Sequence, residues 1–281
     1  MSKIEIKNIT KTFNDVTALK NVNVNFEENH IYGLLGRNGA GKTTLLNLIT
    51  GKMFPTSGEI LVDGERAIEN DRALSKIYCM TELNLYPEKM RVKEAFHWSA
   101  GFYPQFDMEY ANTLCSQFEL KTNQKIKNLS TGYTSIFKII IALSCGSEIV
   151  IFDEPVLGLD ANHREMFYKE LIQNYSNHPR TFILSTHLIE EVATIIDRVI
   201  IIKNGEVIMD DEVQNVLNLG CTVSGPAGAV DQYIAGKKVL GVSTLGGLKS
   251  AYLLGQIHDI PNNLEMGKLD LQKLFIQLTN S

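Results

Sequence analysis

Residues 36–43 read Gly36-Arg37-Asn38-Gly39-Ala40-Gly41-Lys42-Thr43. The spacing fits G-x-x-x-x-G-K-[ST], a loop that wraps phosphate groups. Its setting fits as well: residues 31–35 form a short apolar run suited to a buried strand, and residues 44–49, opening with Thr44, begin an apolar helical run. Glycines let the backbone curl so that successive N–H groups point at an anion, and the helix N-terminus adds the positive end of its dipole. In such a loop Lys42 reaches the β- and γ-phosphates of a nucleotide and Thr43 holds Mg2+ through its hydroxyl.

A second group of residues could act on what the loop holds. The apolar run 149–152 buries a strand and delivers Asp153-Glu154-Pro155 at its end. There Asp153 can bind Mg2+ through water, and Glu154 can orient or deprotonate an attacking water. Residues 182–184 read as another buried strand, leading to Ser185-Thr186-His187. Upstream, Lys11-Thr12-Phe13-Asn14-Asp15 reads as a turn-rich link in which Phe13 is either a core aromatic or an exposed ring that stacks on a base. Bland readings stand beside these. A lone histidine after a strand is commonly a structural hydrogen-bonder, and Asp160 is suited to capping a helix that begins near Ala161.

The order of the pieces narrows the choice. Phe13, the loop at 36–43, Leu129-Ser130-Thr131-Gly132-Tyr133 before an apolar helix, Asp153-Glu154, Gly158-Leu159-Asp160 and His187 follow one another along the chain. This ordered set resembles the ATP-binding-cassette family of P-loop ATPases over residues 3–211. The resemblance implies ATP and Mg2+, and two cassettes that sandwich two ATP molecules head to tail. Residues 36–44 would hold the phosphates and Phe13 would stack on adenine. Ser130, Thr131, Gly132 and Tyr133 would form the cap over the ATP of the opposite subunit, with Ser130 and Gly132 donating to its γ-phosphate. Glu154 would act as catalytic base, His187 would touch the γ-phosphate and its attacking water, and Asp160 would link the two sites across the dimer. Thr43, Glu82 and, through water, Asp153 would hold Mg2+. The second ATPase subunit is expected to be another copy of this chain ahead of a different cassette.

The chain is also similar to ATPase subunits of ABC-2-type exporters of Gram-positive bacteria, among them bacitracin-resistance and phenol-soluble-modulin exporters. That similarity implies separate integral membrane permease subunits, a peripheral position on the cytoplasmic face of the membrane, and an amphipathic or antimicrobial peptide as cargo. Rival readings are a soluble cassette ATPase with an assembly or regulatory role and no membrane channel, and a nucleotide-binding regulator without turnover.

Three departures from the family pattern stand out. Where the family usually has Gln after the strand near residue 77, this chain offers Glu82, with Thr81 as the other candidate. A carboxylate is a hard oxygen donor for Mg2+, but it adds charge beside a triphosphate. In the cap, Thr131 replaces a usual Gly and Tyr133 a usual Gln; a β-branched residue at positive φ would be strained. Ile136 and Ile141 stand where basic residues are common. Slow hydrolysis, or dependence on a partner for full closure, is the expectation.

The totals set the bounds. At 281 residues, the chain can bury one large core or a core with a small satellite. A net charge of −5 with scattered Lys and Arg gives no nucleic-acid-binding face. Cys79, Cys115, Cys145 and Cys221 stand far apart without C-x-x-C spacing, so neither a zinc site nor a disulfide framework is expected. Residues 1–10 alternate charged and apolar side chains instead of presenting a signal-peptide core. Apolar runs such as 139–143 and 199–202 are too short to cross a bilayer.

Several elements must position the chemistry. Ile4, Ile6 and Ile9, then Val22, Val24 and Phe26, predict two antiparallel strands. A turn at 55–58, a strand at 59–64 and a short strand at 77–80 follow. From residue 86 to about 145 the pattern is helical, predicting an inserted helical lobe whose aromatics Phe96, Trp98, Phe102, Tyr103 and Phe106 are expected chiefly in its core. Leu188, Val192, Ile195 and Ile196 make one helix face, and 199–203, Asn204-Gly205 and 206–209 make a hairpin. Strands at 239–242 and 251–254 and an amphipathic helix at 269–278 complete a small appendage. The predicted fold is α/β: a P-loop NTPase core of the ABC ATPase kind at 1–212, with an antiparallel β subdomain and a helical subdomain, and a small α+β domain at 213–281.

Overall fold

The computed structural model of the chain describes residues 3–237, 239–255 and 260–280. Its centre is a six-stranded sheet in the spatial order Glu206–Glu212, Arg198–Lys203, Ile31–Gly36, Thr181–Thr186, Ile149–Asp153, Ile77–Met80. All neighbours are parallel except the hairpin pair at the Glu206–Glu212 edge. Strands Ile31–Gly36, Ile149–Asp153 and Thr181–Thr186 are buried along their whole length. That is why they read as continuous apolar runs: both faces of a parallel sheet are covered.

Alternate residues of these strands feed two different cores. Tyr32, Leu34, Ile149, Ile151, Ile183, Ile200 and Ile202 pack toward helix Lys42–Ile49 and the antiparallel strands. Ile31, Leu35, Val150, Phe152, Phe182, Leu184, Val199 and Ile201 pack toward the helical lobe and helix Ala161–Asn177. The register sets Asp153 opposite Ser185 and Leu35 opposite Thr186, so the chemistry-bearing ends of three strands arrive at one edge of the sheet.

The antiparallel subdomain is a second sheet in the order Val16–Phe26, Ile4–Phe13, Ser57–Val62, Glu65–Arg66. Its first two strands run further than their alternation indicates, because Phe13 pairs with Val16 around the turn at Asn14, whose φ is 49°. Phe13 therefore ends a strand; it does not sit in a loop. Ser57 and Gly58, expected in a turn, already belong to the third strand.

Helices Val92–Phe102, Met108–Gln117 and Thr131–Ser144 form the lobe between strands Ile77–Met80 and Ile149–Asp153. Phe96, Phe118 and Phe137 fill it. Tyr103 and Phe106 are half-buried, but Trp98 is 52% and Phe102 76% exposed, against the expectation that these aromatics lie chiefly in the core. Their helix turns these two side chains away from the buried face made by Val92, Ala95, Phe96 and Ser99.

The third sheet has the order Val239–Leu245, Leu248–Leu254, Gly220–Pro226, Glu265–Lys268. Helix Ala227–Ile234 covers one face by setting Val230 among Cys221, Val223, Ala251, Leu253 and Leu264. The last helix, Leu271–Asn280, lies against strand Val239–Leu245 of this sheet and also reaches the ATPase part. Leu271, Leu274 and Phe275 join the large core of the ATPase part, as does Tyr252. All four cysteines are free thiols, and among the described residues no helix is long and apolar enough to cross a membrane.

Candidate functional site

The phosphate loop leaves the sheet at Gly36, and its helix begins at Lys42, earlier than the apolar pattern indicates. Gly41 caps that helix with φ 112°, a conformation that only glycine adopts readily. Space requires glycine too: a Cβ on Gly41 would lie 2.8 Å from Leu19 Cδ2 and 2.9 Å from the Ala18 carbonyl. The loop is clasped from outside by the Asn204-Gly205 turn. The Gly205 N–H donates to the Ala40 carbonyl at 3.0 Å, and the Lys20 N–H donates to the Gly205 carbonyl at 2.8 Å. Arg37, Asn38 and Gly39 are left exposed at the tip, and Thr43 and Thr44 lie on the helix start. Lys42 is buried, and its ammonium donates to the Gly36 carbonyl at 2.6 Å. Burial pushes this lysine below the ordinary range, while Glu154 and Asp153 oppose that by favouring the charged form.

Asp153 is buried at the end of its strand. Oδ1 accepts from Ser185 Oγ at 2.9 Å and Oδ2 from Thr43 Oγ1 at 3.2 Å. Burial raises its pKa, and the two hydroxyls counter part of the rise. Glu154 then breaks from the strand with φ 50°. A left-handed backbone on a residue with a long side chain costs about 1 kcal/mol. It is held there by its own N–H, which donates to the Ser185 carbonyl at 2.8 Å. Its Oε2 accepts from the Nδ1–H of His187 at 2.9 Å and from Thr186 Oγ1 at 3.3 Å. The structure therefore brings Lys42, Thr43, Asp153, Glu154 and His187 together. Thr43 and Asp153 are two hard oxygen donors in contact, and among the described residues no group of three or more His, Cys, Asp or Glu could hold a metal. That donor set fits Mg2+, which takes one or two protein oxygens and completes its shell from phosphates and water.

The other predicted residues lie elsewhere in the single chain. Ser130 caps helix Thr131–Ser144, its hydroxyl accepting from the Tyr133 N–H at 3.2 Å. Thr131 is the first helical residue and is not among the positive-φ residues, so the expected strain is absent: the serine cap carries the chain into the helix without a left-handed step. Gly132 sits against the Gly158 carbonyl, 2.8 Å from where a Cβ would be, and Ser135 Oγ donates to the Leu157 carbonyl at 2.9 Å. Residues 130–135 are thus packed against 157–159. Asp160 caps helix Ala161–Asn177, accepting from the His163 N–H at 2.9 Å, which is the capping role its position allowed. Phe13 is 44% exposed, with Lys11 Nζ 5.0 Å from its ring centre.

Glu82 is exposed two residues beyond strand Ile77–Met80. Its backbone is tied down by a residue that sequence reasoning passed over. The buried Lys138 donates from Nζ to the carbonyls of Thr81, at 3.0 Å, and Glu82. A single lysine inside Ile136-Phe137-Lys138-Ile139-Ile140 was the available signal. Ser185 was also missed as the hydroxyl that fixes Asp153, although it adjoins His187 in a segment already singled out.

Comparison with known proteins gives the same answer. The family profile described as ABC transporter matches residues 19–157. The ABC transporter ATP-binding protein NatA of Bacillus subtilis is 31% identical over 217 residues, covering 73% of this chain and 87% of that protein. YtrB of the same organism, another ABC transporter ATP-binding protein, is 29% identical over 216 residues, covering 77% of this chain and 72% of its own length. Among solved structures, the dimeric bacterial ABC transporter cassette MJ0796 superposes with a TM-score of 0.67 at 28% identity, covering 75% of this chain and 98% of that one. The same cassette in a post-hydrolysis state bound to ADP and Pi matches with a TM-score of 0.66 at 27% identity. With a phosphate loop, a buried magnesium-type aspartate and a glutamate–histidine pair at one sheet edge, the chain belongs to the ABC transporter family as an ATP-binding subunit, an ATPase that uses ATP and Mg2+.

Proposed function

We propose that this ATPase drives an exporter, closing on ATP against a second copy of itself and working through separate membrane-spanning chains on their cytoplasmic side. Residues 36–44 bind the phosphates through backbone N–H groups and the Lys42 ammonium, and Phe13 stacks on adenine. Thr43 and Asp153, with Glu82, would hold Mg2+, which when bound neutralises charge on the β- and γ-phosphates. Glu154 takes a proton from the water that attacks the γ-phosphorus, as the bond to the bridging oxygen breaks and ADP leaves. The Nδ1–H of His187 holds that carboxylate in place. Ser130, Thr131, Gly132 and Tyr133 of the second copy cap the γ-phosphate, and Asp160 links the two sites. Hydrolysis is slow until the membrane partner completes closure.

The reading of a membrane partner rests on one observation. Leu83 is 72%, Leu85 69%, Trp98 52% and Phe102 76% exposed, and the first two follow the segment that Lys138 ties to the helical lobe. The hydroxyls of Tyr86 and Ser99, 2.7 Å apart, hold the two segments side by side, and exposed apolar side chains on such neighbouring segments suit a contact with a short helix of a permease. An amphipathic or antimicrobial peptide as cargo rests on the similarity to Gram-positive exporters alone. Purification of the tagged protein from its native membrane tests the whole. Recovery of an integral membrane protein with the wild type, and its loss with Leu83→Glu and Phe102→Glu, is expected; recovery of only soluble partners would make the chain an assembly or regulatory ATPase.

A further inference from the structure

The last helix, Leu271–Asn280, packs against helix Ile189–Val192 and, through Thr279, lines a cleft with the phosphate loop. Through Leu271, Leu274 and Phe275 it shares a core with Ile189, Val192 and Ile196. Helix Ile189–Val192 begins two residues after His187. At its other end, Lys203 Nζ donates to the Leu278 carbonyl at 3.1 Å. Thr279 shares a cleft of about 420 Å³ with residues 37–40 and 202–204. Two residues after Lys203, the Gly205 N–H donates to the Ala40 carbonyl of the phosphate loop. One short stretch of chain, 203–205, thus holds the end of the helix with its first residue and the phosphate loop with its last.

The last carbonyls of a helix have no partners within it and carry the negative end of its dipole. A lysine ammonium placed there satisfies one of them and opposes that charge. We infer that Lys203 is a positioning residue for ATP, and that helix Leu271–Asn280 is a brace whose docking is coupled to nucleotide binding at residues 36–44. The coupling runs both ways: if the docked helix favours the loop that binds ATP, then ATP favours the docked helix. The inference builds on the assignment of the phosphates to residues 36–44.

The test uses the full-length chain and Mg-ATP. KM and kcat are measured for wild type, Lys203→Met and Lys203→Arg. Hydrogen–deuterium exchange is followed with and without Mg-ATP in a Glu154→Gln background. Lys203→Met is expected to raise KM about threefold to tenfold, a fraction of one lost charge-assisted hydrogen bond because the lysine acts on ATP through the loop, with a smaller change in kcat. Lys203→Arg, which keeps the cation, restores most of the loss. Mg-ATP is expected to slow exchange in residues 271–280 as well as in 36–44, and Lys203→Met weakens the first effect. The exchange measurement on Glu154→Gln alone decides the matter if Lys203→Met folds poorly. Protection of 36–44 with no change in 271–280, or an unchanged KM in Lys203→Met, would overturn the brace. If Mg-ATP protects neither segment, the phosphate assignment fails with it.

Discussion

The Nδ1–H of His187 donates to Oε2 of Glu154 across 2.9 Å, and Glu154 meets it from a backbone with φ 50°. A strained main chain aims a carboxylate at a half-exposed imidazole that gives little back in stability, since exposed pairs contribute about 0–1 kcal/mol. Such an arrangement is explained by chemistry at the site. His187→Ala is expected to lower phosphate release about 100-fold or more while the melting temperature stays close to wild type. A large loss of stability with turnover preserved would make the pair structural.

Asp153 carries a charge that burial disfavours. Its pKa is raised in the folded chain, so the folded state binds more protons than the unfolded one as pH rises from the ordinary carboxylate range to the raised value. Across that window the aspartate costs stability, and the cost is fully present above it. Asp153→Asn keeps the size and the contacts to Ser185 and Thr43 while removing the charge. In the absence of nucleotide it is expected to be more stable than wild type at neutral pH, by about 1 kcal/mol, and to have no Mg-dependent turnover. The stability advantage should vanish in acid, below the pKa of a free aspartate; thermal melts across pH read it directly.

Phe13 ends its strand with nearly half its surface exposed and a lysine ammonium near its ring. Removing such a ring leaves no cavity. Phe13→Ala should therefore leave the melting temperature nearly unchanged and raise KM for ATP about tenfold, in line with about 1–3 kcal/mol per stacked base. Phe13→Trp should retain the low KM.

Lys138 places a cation inside the helical lobe, where burial lowers its pKa, and holds the carbonyls of Thr81 and Glu82. Lys138→Met keeps the aliphatic stem and removes the charge. Its global stability should stay within about 1 kcal/mol of wild type, because the lost bonds are offset by a relieved buried charge. Residues 81–85 should exchange hydrogen faster, and stimulation of the ATPase by the membrane partner should fall. Unchanged exchange in that segment would remove Lys138 from the account.

The phosphate loop was legible because it is a strand, a turn and a helix start written in consecutive residues, and the Asp153-Glu154 pair because it ends an apolar strand. The caps at Ser130 and Asp160 were legible because each stands directly before its helix. Contacts between distant residues were not legible. The bonds from Lys138 to Thr81 and from Gly205 to Ala40 join parts of the chain that come together only when the sheet forms. Strand Gly220–Pro226 was missed because two glycines and a proline outweigh its Val223 in any local pattern, although it lies inside the third sheet. The exposure of Trp98 and Phe102 was missed for a different reason. The spacing of apolar residues shows that a helix has a buried face, but with aromatics on two faces it does not say which one is covered.

Sedimentation of Glu154→Gln with saturating Mg-ATP addresses the central claim, that two copies complete each other's triphosphate sites. A change from monomer to dimer, reversed by adding Ser130→Arg, is the expected result. A monomer at every ATP concentration, with ATP bound and the native membrane partner present, would contradict it.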